Sequence, residues 1–163
     1  MLIRNTMPED FDAVMSLYAG AREFMRRNGN PTQWGETHPA PELVRQDIEN
    51  GTGFVCTGED NSLLAAFYFS MEEEPSYCAI LPDPPFPGRW LNDKPYGVVH
   101  RIASVPGRGA GEFCLRWCFE QCGNVRIDTH RANIPMRRLL AKLGYTQCGI
   151  ITIDGWGDRI AFQ

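Results

Sequence analysis

The sequence has no long apolar run, and this absence sets the first limit on its function. No segment approaches the roughly 20 consecutive apolar residues that cross a bilayer, and the start, Met-Leu-Ile-Arg-Asn-Thr, lacks the apolar stretch of an export signal. A basic stripe with interleaved aromatics is also missing, and the net charge is −4, which disfavours nucleic-acid binding. We therefore expect a cytoplasmic protein with neither a membrane nor a nucleic acid as partner.

The composition is that of a globular protein with one core. The chain has 163 residues, of which 43% are apolar and 22% charged, and this length is too short for two ordinary domains. We expect residues 1–163 to form a single domain. Three of the six cysteines, Cys114, Cys118 and Cys122, recur at helical spacing. Because zinc sites usually draw ligands from a turn and a second element, we interpret them as buried free thiols and expect no metal.

Hydrophobic periodicity and chain breakers predict the order β-α-α-β-β-β-α-β-α-β-β. The fold class is α/β (α+β), with a mixed, mostly antiparallel sheet of six or seven strands and about four helices. The predicted strands lie at 2–5, 53–57, 63–70, 97–104, 125–129, 148–153 and 159–162, and the predicted helices lie near 8–27, 43–50, 111–121 and 131–143.

The stretch 72–96 suits neither a helix nor a central strand, because it contains six prolines and begins with three glutamates. A loop of this length in a compact domain is usually functional. We expect it to cover a substrate site, with Phe86, Trp90 and Leu91 as an apolar wall and Glu72 and Trp90 in contact with the substrate.

The C-terminal part favours an anionic ligand. Residues 101–163 carry nine Lys and Arg against five Asp and Glu, whereas residues 1–100 carry seven against fifteen. Within this basic part, a strand runs through Gly107-Arg-Gly-Ala-Gly111 into a helix, and such a turn points backbone N–H groups at a phosphate. A dinucleotide site is the alternative, with Asp128 about 20 residues further on, but too few residues follow for a doubly wound sheet.

The element order and two motifs resemble the GNAT superfamily of acyl-CoA-dependent N-acyltransferases. The turn Arg108–Gly111 is similar to its pyrophosphate motif, with Gly109 and Gly111 as the paired glycines, and Asn133–Tyr145 is similar to its second motif. His100-Arg-Ile-Ala103 and Arg126-Ile-Asp-Thr-His130 resemble a bacterial subgroup of this superfamily.

The resemblance implies which residues hold the cofactor, acetyl-CoA. Backbone groups of Ile102, Ala103 and Ser104 would face the pantetheine arm, and Asn133 would contact it or cap a helix. The pyrophosphate would lie on Arg108, Gly109, Ala110 and Gly111. Many members carry a tyrosine that protonates the leaving thiolate, and Leu140 stands at that position here.

The candidate catalytic residues are His100 and Glu73, with Glu72 and Glu74 beside Glu73 as further acidic candidates, because a base is needed near the middle strands. We interpret Asp128 as a partner of an arginine such as Arg101, with orientation of a histidine as the alternative, and His130 as a turn residue.

The predicted function is transfer of an acetyl group from acetyl-CoA to a primary amine by direct attack in a ternary complex. The acceptor would be a small molecule or a peptide, and a homodimer stays open as the assembly. The alternative is a non-catalytic module that binds acyl-CoA as a sensor or partner.

Overall fold

A computed structural model describes all residues 1–163 and contains one seven-stranded mixed sheet. The strands follow the order β1-β2-β3-β4-β5-β7-β6 across the sheet, and every neighbouring pair is antiparallel except β4 and β5. This confirms the predicted fold class and element order. The strands are β1 Leu2–Asn5, β2 Gly53–Thr57, β3 Leu63–Ser70, β4 Gly97–Ser104, β5 Val125–Thr129, β6 Gln147–Ile153 and β7 Gly157–Phe162.

Four α-helices flank the sheet, and the residues at their ends explain where they begin and stop. A short 3₁₀ helix precedes the first of them, where the Asp10 carboxylate accepts from the Met7 amide at 2.8 Å and pairs with Arg4. Gly123, with φ of +68°, closes the third helix in a left-handed conformation that glycine adopts without strain. None of the helices is long and apolar enough to cross a membrane. They are α1 Phe11–Arg27, α2 Pro41–Glu49, α3 Ala110–Cys122 and α4 Ile134–Lys142.

Strands β4 and β5 separate halfway along their length. Their ladder ends at the pair Val99 and Ile127, although β4 continues to Ser104 and β5 to Thr129. On the side facing β5, the backbone groups of residues 100–104 therefore have no strand partner. The divergence opens a cleft in the middle of the sheet, where buried backbone groups remain free to bind a ligand.

A bulge in β4 accompanies this divergence. Arg101 has φ of +52°, an uncommon value for a residue other than glycine, and the ladder to β3 shifts register at the same place. Val99 packs in the cluster with α3, whereas Ala103, four residues later, packs in the cluster with α1. In a regular strand both side chains would lie on one face, so the bulge reverses the orientation of the strand.

The segment 72–96 is tied to the sheet by a few of its residues, while its other residues are partly or fully exposed. Tyr77 is buried with Val98, Ile151 and Ala161, and Trp90 packs against this cluster. The Leu91 amide donates to the side chain of the C-terminal Gln163 at 2.8 Å. These contacts join positions that are distant in sequence, so they are not encoded in a local pattern.

Candidate active site

A groove runs between α1, the end of β4 and the start of α4. Its volume is about 580 Å³. Small residues on α1, among them Gly20 and Ala21, line one side and leave space. On the other side lie Ile102, Ala103 and Ser104 of β4 and Asn133 before α4. These four residues were predicted to contact a cofactor, and the structure brings them together along the groove.

The groove leads to the glycine turn that precedes α3. Gly107 and Gly109 have φ of +76° and +71°, so the turn requires the freedom of glycine at both positions. The amides of Gly107, Arg108 and Gly109 donate to no protein acceptor, and the first hydrogen bond of the helix runs from the Phe113 amide to the Gly109 carbonyl. These free donors stand at the positive end of a 13-residue helix, which suits an anion.

Gly111 serves a different purpose from Gly109. A Cβ at Gly111 would lie 3.2 Å from the Ser104 Oγ, whereas nothing lies within 4 Å of one at Gly109. Gly111 thus allows α3 to pack closely against β4, and Gly109 shapes the turn. The helix begins at Ala110, while Leu115 is buried and Phe113 packs against the same cluster, as expected when the two glycines are the pair in the motif.

A second, inner cavity of about 250 Å³ opens beyond the point where β4 and β5 separate. It shares four lining residues with the groove, so the two spaces meet around Ile102 and Asn133. Its walls come from the α1–α2 connection, from Glu74 and Ser76 of the loop, and from the β6–β7 hairpin. The residues common to both spaces are Met25, Ile102, Asn133 and Met136.

His100 stands in the inner cavity between two carboxylates. Its Nε2 lies 2.9 Å from the Glu74 Oε2, and its Nδ1 lies 3.7 Å from the Asp128 Oδ1. The first distance is a hydrogen bond and the second is too long for one. The hydrogen bond from His100 is the main reason why the pKa of Glu74 is lowered to about 2, so this carboxylate is ionised at neutral pH.

Asp128 is held by Tyr77 and not by an arginine. The Tyr77 hydroxyl donates to the Asp128 Oδ1 at 2.8 Å, and burial is the main cause of the raised pKa of Asp128, partly offset by His100 and Tyr77. The arginine that we expected here, Arg101, instead contacts both oxygens of Asp47 at 2.8 and 2.9 Å. The bulge turns Arg101 towards α2, which corrects the predicted pair and favours the alternative in which Asp128 faces a histidine.

An aromatic wall, formed by Trp34, His38 and Trp156, lines part of the inner cavity. The His38 ring lies 5.8 Å from the Trp34 ring and 4.7 Å from the Trp156 ring, between centroids. Burial, together with the nearby positive charge of Arg101 and then Arg159, lowers the pKa of His38 to about 4. His38 is therefore neutral at pH 7, and Arg159 supplies the positive charge on this wall.

Three of the acidic and aromatic residues predicted at the site lie elsewhere. Glu72 and Glu73 are exposed and outside the cavity, whereas Glu74 turns inward because its Oε1 accepts from the Ser76 amide at the start of a 3₁₀ helix. Trp90 packs on the Arg126 guanidinium, 4.4 Å from ring centroid to carbon, and lines no part of the cavity. The structure thus favours Glu74 over Glu73 as the partner of His100, and Trp90 as a packing residue.

The remaining predicted residues have definite places. The Asn133 Oδ1 accepts from the Met136 backbone amide at 3.3 Å and so caps α4. The Asn133 Nδ2 donates to the Gln33 Oε1 at 3.0 Å. Leu140 is 0% exposed in the main core and lines neither the groove nor the inner cavity. His130 accepts from the Ala132 amide in a turn, as expected. Sequence reasoning missed Arg159 and His38, which carry no local motif.

Comparison with solved structures identifies the family. An acetyltransferase of the GNAT family from Streptococcus agalactiae is 32% identical, with a TM-score of 0.86, and the match covers 99% of this chain and 92% of that one. A GNAT-family acetyltransferase from Listeria monocytogenes is similar over 99% and 93%, at 15% identity and a TM-score of 0.68.

A third similar structure is a phosphinothricin acetyltransferase from Sinorhizobium meliloti in complex with AcCoA. It matches over 99% of this chain and 85% of that one, at 14% identity and a TM-score of 0.63. No family model matches the sequence, and no curated protein does. The identity to the streptococcal protein over almost the full length, together with the divided sheet and the glycine turn, shows that this chain belongs to the GNAT family of acetyltransferases.

Proposed function

We propose that the chain transfers an acetyl group from acetyl-CoA to a primary amine, by direct attack in a ternary complex. The observation that carries this proposal is the meeting of the groove and the inner cavity at Ile102 and Asn133, with His100 on the inner side. A cofactor in the groove and an acceptor in the inner cavity would therefore meet where β4 and β5 separate.

The residues of the groove fit acetyl-CoA. Free amides at Gly107, Arg108 and Gly109 suit the pyrophosphate, and the unpaired edge of β4 suits the amide groups of the pantetheine arm. Glu112, the acid in the first turn of α3, pairs with Arg116 and Lys142, which reduces its repulsion of a bound phosphate. Bound acetyl-CoA would supply the acetyl group as a thioester, whose carbonyl carbon forms the new C–N bond while the C–S bond breaks.

His100 is the proposed base. Its Nε2 is engaged by Glu74, which leaves Nδ1 free to accept a proton. The Nδ1 and the Asp128 Oδ1 lie 3.7 Å apart, so an ammonium group standing beside the pair could direct one N–H at each atom. Asp128 would hold the ammonium by charge, and His100 would take its proton, so that the nitrogen becomes a nucleophile.

Direct attack is favoured because neither space contains a cysteine. The linings of the groove and the inner cavity include none of the six, so the residue best suited to a covalent acetyl-enzyme is missing there. The non-catalytic alternative, a sensor that binds acyl-CoA, does not explain why a histidine is held between two carboxylates beside the groove.

Initial-rate kinetics test the proposal. Acetyl-CoA is offered with a panel of primary amines, while thiol release and product mass are measured together. Transfer through a ternary complex gives intersecting double-reciprocal lines when both substrates are varied. Parallel lines would indicate an acetyl-enzyme, and binding of acetyl-CoA without transfer to any amine would support the sensor.

A further inference from the structure

Arg159 is a buried cation with unused hydrogen-bonding capacity in the inner cavity. It lies on β7, is 6% exposed and lines the cavity. Its Nη1 donates to the carbonyls of Trp156 and Asp158, at 2.6 and 3.0 Å. Its Nε and Nη2 donate to no protein group, and no carboxylate lies within the 4.0 Å that defines an ion pair. Two nitrogens of the guanidinium, Nε and Nη2, are therefore available to donate to a ligand.

The contrast with Arg101 shows that this is a specific feature of Arg159. Both arginines line the inner cavity, but the charge of Arg101 is matched by Asp47. Burial lowers the pKa of Arg159, and Asp128 and Asp158 oppose this effect only from a distance. A buried charge is costly unless it is paired. An anionic group of a bound ligand would supply the missing partner.

The charges around the inner cavity are arranged for a ligand with both signs. Glu74 and Asp128 lie beside His100, and Arg159 lies on β7, two residues from Ala161, the ladder partner of Asp128. His38, which is neutral at pH 7, adds no second cation. A single guanidinium with two free donors suits a carboxylate, whereas a phosphate dianion would call for more positive charge.

We propose that the acceptor is an amine that also carries a carboxylate, a molecule of the amino-acid class, and that Arg159 binds this carboxylate. The ammonium would lie beside His100 and Asp128, and the cavity of about 250 Å³ suits a small acceptor. This inference rests on the proposed function, because it assigns the substrate class of the same site.

Matched acceptors test the inference. Each amino acid in a panel is compared with its primary amide, which keeps the shape and the amine but removes the negative charge, and with an aminoalkyl phosphate of similar length. The native enzyme is expected to use the acids with a kcat/KM at least tenfold above that of the amides and the phosphates. Equal values for acids and amides would overturn the inference, and a preference for the phosphates would replace the carboxylate with a phosphate.

Three variants separate recognition from a structural role. Arg159→Gln should lower kcat/KM for the acids at least tenfold, mainly through KM, while the amides change less than threefold. Arg159→Lys keeps the charge and should recover part of the loss. Arg89→Gln is the control, because Arg89 is exposed and lines no cavity. An equal loss for acids and amides in Arg159→Gln would mean that Arg159 only supports the hairpin, and would refute the inference.

Binding measurements keep this inference separate from the proposed function. Calorimetry with CoA present measures the affinity for the same acids and amides without turnover. If no amine is acetylated, the proposed function fails, but a preference for acids that disappears in Arg159→Gln still supports the carboxylate site. Equal affinities for acids and amides would overturn the inference even in an active enzyme.

Discussion

Replacement of Glu74 by glutamine is the sharpest test of the proposed base, because it changes one charge beside His100 and little else. Glu74 Oε2 lies 2.9 Å from the His100 Nε2, and its Oε1 accepts from the Ser76 amide and hydroxyl, at 3.1 and 2.8 Å. Glutamine has the same shape and can keep the bonds to Ser76 through its carbonyl oxygen. The substitution therefore removes the negative charge that holds His100 with Nδ1 towards Asp128.

The geometry sets the expected size of the effect. A hydrogen bond to a charged group contributes about 1.5–3 kcal/mol, and the side chains of His100 and Glu74 are only 20% and 26% exposed, so solvent screening is partial. A loss of about 1.5–2 kcal/mol of transition-state stabilisation corresponds to a fall of roughly 10- to 30-fold in kcat/KM for the amine. The KM for acetyl-CoA should stay unchanged, because Glu74 does not line the groove.

The adjacent glutamate provides a matched control. Glu73→Gln removes the same charge one residue away, where the side chain is exposed and makes no hydrogen bond or ion pair, and should leave both constants within a factor of two. Rates for both variants are measured across pH 6–9 with acetyl-CoA saturating. If Glu74→Gln and Glu73→Gln behave alike, Glu74 does not support the base. If Glu73→Gln alone is impaired, the sequence-based choice of Glu73 was right.

Three further outcomes follow from the structure. Gly109→Val should weaken CoA affinity in calorimetry at a folding cost of about 1–2 kcal/mol. Gly111→Val should lower the melting temperature more than Gly109→Val does, because its Cβ would stand 3.2 Å from the Ser104 Oγ. A larger drop in melting temperature for Gly109→Val would contradict this division of roles. The folded-state pKa of His38, about 4, lies below its unfolded value of roughly 6.5, so the free energy of unfolding decreases as the pH drops through that window. In urea unfolding, His38→Gln should lose about 1–2 kcal/mol less of this free energy than the native protein over the same pH range. Thiol titration should count six reactive groups after denaturation but an early reaction only at the exposed Cys78 in the native protein, and a count below six would contradict the expected free thiols.

The element order could be predicted because it is written in local patterns. Alternation and apolar runs marked the strands, and Gly29, Gly51 and Gly144 marked the ends of helices. The glycine turn before α3 could be found for the same reason, since its function depends on backbone geometry near one strand end. The bounds differ by a few residues, as with α4, which begins at Ile134 and not at Arg131.

The partners of charged residues could not be predicted, because they depend on distant parts of the chain. Arg101 pairs with Asp47, 54 residues away, and Tyr77 donates to Asp128 across 51 residues. The positive φ of Arg101 has no sequence signal, since the residue is not glycine. Without that bulge, period-2 alternation favoured the wrong partner for Asp128.

The bulge at Arg101 connects the two halves of the proposed active site. Because it reverses the strand, Ala103 packs beneath α1 beside the groove, on the same face as His100, which contacts Glu74 of the loop. A regular strand would place these two side chains, three residues apart, on opposite faces, and it would continue the ladder with β5, which would close the cleft. The Arg101–Asp47 pair, largely buried, ties the bulge to α2. In the proposed mechanism, one strained residue thus allows a single strand to serve the cofactor on one stretch and the acceptor on the next, which would account for the strained conformation at this position.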